Sequence, residues 1–175
     1  MAQWYCWWRD IWEFMATMTA PLPYPDTSFA PLENFGLLWR WNSQTHAVFP
    51  PDVMAVIRPF TSSAARMLMA EALTRVSLPI TTGDASIACR EKVPEEEIST
   101  WLSQLGAESS AWTVLSWNDD LAVLVPWSVF ANRWSDFCYP ASDDVLIWQP
   151  GRAWTLVYEH EEWFVYFRHL AARGD

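Results

Sequence analysis

The segment Tyr158-Glu159-His160-Glu161-Glu162 sets one histidine among three carboxylates. These residue types bind transition metals and exchange protons in general acid–base catalysis. On a β-strand, however, successive side chains alternate between faces, so Glu159 and Glu161 point away from His160 and the groups do not converge. His46 and His169 stand at no ligand spacing from it, and no H-E-x-x-H occurs. An acidic turn is the better reading. Asp143 and Asp144, after Tyr139-Pro140-Ala141-Ser142, form a second cluster. Paired aspartates can hold Mg²⁺ or oppose a distant carboxylate in a glycosidase-like pair, but they serve more often as turn residues and caps. No nucleophile elbow, P-loop or dinucleotide fingerprint is present, and five glycines leave no phosphate-cradling loop. Cys138 has no neighbouring histidine in sequence and reads as a buried thiol. The expectation is a protein without catalytic, cofactor or metal residues, one that is not an enzyme and acts by binding.

Charge and aromatic content indicate what kind of surface would bind. Residues 1–83 carry five Arg against six Asp/Glu, whereas residues 84–175 carry six Lys/Arg against fifteen, so the net charges are −1 and −9. A field of one sign attracts basic partners and repels phosphate backbones and anionic membrane surfaces, which disfavours direct nucleic-acid or membrane binding. Fourteen tryptophans, nine phenylalanines and five tyrosines in 175 residues exceed what one core hides easily, so some indoles are expected at the surface. Asp119, Asp120, Asp143, Asp144, Glu159, Glu161 and Glu162 all fall at predicted turns or strand ends, interleaved with Trp148 and Trp163. These nine residues are the predicted partner-binding surface. Carboxylates around aromatic anchors suit a partner rich in Lys and Arg.

The elements that must position them read as α+β in a single domain over 1–175, with an antiparallel sheet packed against several helices. Trp4, Trp8, Ile11, Trp12 and Met15 at helical spacing predict an N-terminal amphipathic helix over 1–19. Pro21, Pro23, Pro25 and Pro31 predict a surface linker over 20–32, before an α+β core over 33–175. Strands are expected at Phe35–Trp41 and around Ala47–Phe49, and Asp52 is placed to cap a short helix. A helix rich in strong helix formers follows Ser62-Ser63, then a strand around Ser86–Arg90. Pro94, three glutamates and the terminal Gly106 bracket another helix. Trp112–Trp117 and Leu121–Val125 predict a hairpin around Asn118-Asp119-Asp120, and Trp127, Phe130, Trp134 and Phe137 predict one helix. Val145–Gln149, Ala153–His160 and Trp163–His169 predict a C-terminal three-stranded meander, turned at Pro150-Gly151 and Glu161-Glu162. Leu38–Pro50 and Leu115–Pro126 share a Trp-Asn pair and a later proline, which poses an internal β-hairpin-helix repeat.

No apolar run reaches the ~20 residues of a membrane span, and the first residues lack the pattern of a signal peptide. With three widely spaced cysteines, Cys6, Cys89 and Cys138, the expected compartment is the reducing cytoplasm.

Trp127–Phe137, the run Phe137-Cys138-Tyr139-Pro140-Ala141-Ser142-Asp143-Asp144, and Trp154–Phe167 with its Tyr-Glu-His-Glu-Glu-Trp centre resemble bacterial immunity proteins of contact-dependent and secreted toxin systems. The resemblance covers the C-terminal third. It implies a small cytosolic α+β protein that neutralises one cognate toxin by covering its active site or a neighbouring surface. No binding residue carries over, because such interfaces differ between families. The expected partner is thus a basic, nuclease-like toxin enzyme. Rival readings are a phage-type inhibitor or nucleic-acid mimic of a DNA-binding protein, and a hydrolase centred on His160. Self-association as a homodimer would also account for exposed aromatics.

Overall fold

A computed structural model of the chain describes residues 21–76, 85–88, 93–105 and 108–169. The predicted helix over 1–19, Cys6, Cys89 and the Gly106 helix stop lie outside the described residues. Seven strands form one antiparallel sheet in the order β1-β4-β3-β5-β6-β7-β2. They are β1 (Arg58–Pro59), β2 (Ala85–Ala88), β3 (Trp112–Ser116), β4 (Ala122–Pro126), β5 (Val145–Trp148), β6 (Trp154–Glu159) and β7 (Trp163–Arg168). The helices are α1 (Trp39–Asn42), α2 (Pro51–Ala55), α3 (Ser62–Val76), α4 (Glu95–Gln104), α5 (Trp127–Asn132) and α6 (Trp134–Phe137). The α+β class and the C-terminal meander are as the sequence predicts.

Both faces of the central strands are covered, which is why β3 and β4 are buried along their whole length rather than at alternate positions. On one face Leu115, Val123, Val125, Ile147, Leu156 and Phe164 pack with Phe35, Trp41, Val53, Ile98, Leu102, Phe130 and Phe137. On the other, Val114, Ala122, Leu124 and Trp148 pack with Phe60 and with Ala65, Leu68 and Ala72 of α3. Those three α3 positions recur at helical spacing and form a single inward stripe, while Met67 and Leu73 stay exposed.

Local chemistry accounts for the turns. In the β3–β4 hairpin the Asn118 side-chain oxygen accepts the backbone N–H groups of Asp120 and Leu121, each at 2.9 Å, which closes the reversal. Between β5 and β6, Arg152 N–H bonds the Gln149 carbonyl across Pro150-Gly151, with Gly151 at φ 75°. Proline followed by a left-handed glycine is what a type II turn requires. Between β6 and β7 the left-handed residue is Glu162, at φ 66°. A side chain there costs energy that glycine would not.

Several sequence expectations are corrected. Phe35–Trp41 is not a strand. Leu38 N–H reaches the Phe35 carbonyl and Trp41 N–H reaches that of Leu38, so the chain winds through helical turns into α1. A strand would send Trp39 and Trp41 to the same face, whereas winding buries Trp41 and turns Trp39 outward. Ala47–Phe49 forms no regular strand: it makes an isolated Asn42–Val48 bridge, with the Ala47 and Phe49 N–H groups bonding the Arg40 and Trp41 carbonyls of α1. The posed repeat therefore does not recur as two hairpins, since helix α1 stands where strand β3 would be matched. Asp52 caps nothing, and Pro50 occupies the N-cap of α2. The proline-rich stretch is more than a linker. Tyr24 and Phe29 pack on the Phe60 ring at 5.2 and 5.0 Å, closing the α3-side core. Burial there, with Glu71 nearby, pushes the Tyr24 phenol up to about 12. Finally, the single helix expected over Trp127–Phe137 is two, broken at Arg133, so that Phe130 and Phe137 both enter one core with centroids 6.1 Å apart.

Among the described residues no helix is long and apolar enough to cross a membrane.

Candidate functional site

Strand register decides where the acidic turns lie. Ser116, the last residue of β3, pairs with Leu146 near the start of β5. Val145 pairs with Tyr158 near the end of β6, and Glu159 pairs with Trp163 at the start of β7. The β3–β4 turn, the segment leading into β5 and the β6–β7 turn therefore emerge side by side from the same end of the sheet. Asp119, Asp120, Asp144, Glu159 and Glu161 are exposed there, and Glu162 is half-buried. Adjacent strands lie ~4.8 Å apart, so the row from β4 to β7 spans roughly 20 Å.

The cations among these groups are few. Arg66 of α3 donates to Asp120 at 3.0 Å, an exposed pair of little energetic weight. His160 donates its backbone N–H to Asp144 Oδ1 at 2.9 Å, and its ring Nδ1 lies 2.8 Å from the same oxygen. The Ala141 N–H in turn bonds the His160 carbonyl, which ties the loop before β5 to the β6–β7 turn.

Two of the nine predicted residues do not reach this surface. Trp148 is fully buried under α3, because residues at even positions of β5 face that side. Asp143 is 6% exposed and forms a two-pronged ion pair with Arg40. Arg40 Nη2 donates to Oδ1 at 2.9 Å and Nη1 to Oδ2, while the Tyr139 N–H donates to Oδ2 at 2.9 Å. Trp163 is half-buried on β7.

In their place the structure brings up residues that the sequence reading did not single out. Of the ten described tryptophans only Trp39 is more than a third exposed, at 42%. Its ring meets His46 edge-on at 4.5 Å and Tyr139 at 5.9 Å. The Arg40 guanidinium sits beneath this cluster, 4.3 Å from the Tyr139 centroid and 5.4 Å from that of Trp39. Burial raises the Tyr139 phenol against the opposing pull of Arg40, so the ring stays neutral at ordinary pH. The signal for Arg40 was a lone cation inside an apolar run, Leu37-Leu38-Trp39-Arg40-Trp41, which needs a buried anion.

No family model, curated protein or solved structure matches this chain. His160 bonds a single carboxylate and stands in the open, and no group of three metal-ligating side chains occurs among the described residues. His169 is buried and its Nε2 contacts the Thr155 hydroxyl at 2.8 Å, away from the acidic end.

The Asp144–His160 contact is testable by pH. The hydrogen bond and charge of Asp144 hold His160 above its ordinary ~6.5. The His160 backbone and ring N–H groups hold Asp144 below its ordinary ~3.9. The His160 contribution to stability is present in full below ~6.5 and is lost as pH rises through the raised folded value. The Asp144 contribution is present above ~3.9 and is lost as pH falls through the lowered one. Asp144→Asn is expected to move the His160 midpoint down toward ~6.5 in an NMR titration of the imidazole. An unmoved midpoint would show that the contact does not form in solution.

Proposed function

We propose that this chain is a non-catalytic inhibitor of the immunity type, which acts in the cytoplasm and neutralises one basic, nuclease-like toxin enzyme. The observation that supports this is the convergence of three turns, distant in sequence, that deliver Asp119, Asp120, Asp144, Glu159, Glu161 and Glu162 to one end of the sheet. A concentrated negative surface beside an exposed indole steers a basic protein into encounter and offers it an apolar contact on arrival. A nucleic-acid mimic calls for carboxylates in two rows at phosphate-like intervals, whereas here they leave the end of a single sheet. A hydrolase would need His160 to meet more than one carboxylate in a recess.

The test is affinity capture with the tagged chain at low and high salt, followed by an activity assay of the basic enzyme retained. The companion is the fourfold variant Asp119→Lys, Asp120→Lys, Glu159→Lys and Glu161→Lys, which spares the buried Asp143. The expected result is one basic enzyme, inhibited by the wild-type chain, whose association slows by about 10- to 1000-fold on charge reversal. If the reversed variant inhibits as well as the wild type, the acidic end is not the binding surface and this reading falls.

A further inference from the structure

Most of the described aromatic rings are consumed by the core, which makes the exposed cluster at the acidic end stand apart. Trp39, His46 and Tyr139 come from two distant segments and meet around a guanidinium that the chain itself supplies. Arg40 lies against aromatic rings and closes a two-pronged pair with Asp143. Guanidinium is suited to this combination because it is planar, weakly hydrated and able to stack and hydrogen-bond at once, whereas a lysine ammonium is a compact, strongly hydrated point charge.

The next residue repeats the ingredients on the outside. Asp144 is exposed, and both of its bonds to His160 fall on Oδ1, which leaves Oδ2 as an acceptor. The indole of Trp39 is open to solvent against Tyr139, whose N–H bonds Asp143, the residue before Asp144. We infer that the Trp39–His46–Tyr139 cluster is the anchor of the acidic end and receives an arginine side chain of the partner. The guanidinium lies on the exposed indole and pairs with the neighbouring carboxylates, as Arg40 does beneath. This rests on the inhibitor reading in that it supposes a basic partner, and it goes further by naming the side chain that the surface selects.

The full-length chain can be titrated with an octapeptide of arginine and one of lysine at equal charge, following tryptophan indole N–H signals by NMR. Trp39→Phe assigns the Trp39 signal. The expected result is tighter binding of the arginine peptide by about two- to fivefold, the size of an exposed cation–π contact, with the Trp39 signal shifting most. In Trp39→Ala the arginine preference falls to about one while the salt dependence stays, because the carboxylates still steer both peptides. If the fourfold lysine variant abolishes binding of both peptides but Trp39→Ala keeps the arginine preference, the anchor assignment is overturned and the acidic-surface reading survives. If neither peptide binds the wild type at low salt, both are overturned. Dimerisation through Trp39, seen as a mass in sedimentation that halves in Trp39→Ala, would overturn the arginine assignment alone.

Discussion

Asp143→Ala is expected to lower the unfolding free energy by about 3–5 kcal/mol, the cost of stranding the Arg40 charge without its partner in the interior. Both side chains are only 6% exposed, and every oxygen of Asp143 is engaged: Oδ1 by Arg40 and Ser142, Oδ2 by Arg40 and the Tyr139 N–H. Arg40 reaches the Phe137 carbonyl as well, at 3.5 Å, so the pair clasps α1 to the chain leaving α6. Removing both charges together tells a different story. A buried pair replaced by apolar residues of similar volume is often neutral in stability. Arg40→Met with Asp143→Leu is therefore expected to recover most of the loss in urea denaturation, although the Tyr139 N–H then loses its acceptor. A double variant as unstable as Asp143→Ala would mean that the hydrogen bonds around the pair, and not the stranded charge, hold this junction.

Trp148→Ala is expected to cost about 3–5 kcal/mol, the range for truncating a large aromatic in a packed core. The indole is fully buried and packs between Val114 across the sheet and the inward stripe of α3. Its Nε1 finds no acceptor, so the ring is held there by packing. Trp148→Phe removes the unpaired donor with part of the volume and is expected to cost under ~2 kcal/mol. Thermal unfolding distinguishes the two variants. Had Trp148 belonged to the binding surface, its truncation would leave stability within ~0.5 kcal/mol and weaken partner binding instead.

Much of this architecture was legible from residue order alone, and the reason is locality. The β3–β4 hairpin, the Pro150-Gly151 turn and the meander depend on side chains that act within four residues of themselves. Helix α4 declares itself through Pro94, Glu95, Glu96 and Glu97, and α3 through an unbroken run of helix formers. The placement of acids at turns followed from the same signals. Because antiparallel pairing returns alternate turns to one end, that placement came close to the surface found.

What failed to be legible was whatever depended on a distant partner. The Phe35–Trp41 pattern suits a strand until Arg40 must meet Asp143, 103 residues on, and Trp41 must give its indole N–H to the Asp136 carbonyl at 3.0 Å. Asp143 and Asp144 are chemically identical neighbours, yet one is sealed against Arg40 and the other faces water with His160. Trp39 and Trp148 differ in the same way, one exposed and one covered by α3. The class, the β3–β4 hairpin, the C-terminal meander and the sign of the field follow from residue order, because turn chemistry, periodicity and net charge are local or additive. Which carboxylates and which indole meet solvent is a matter of long-range packing, because burial is set by the element that packs on top.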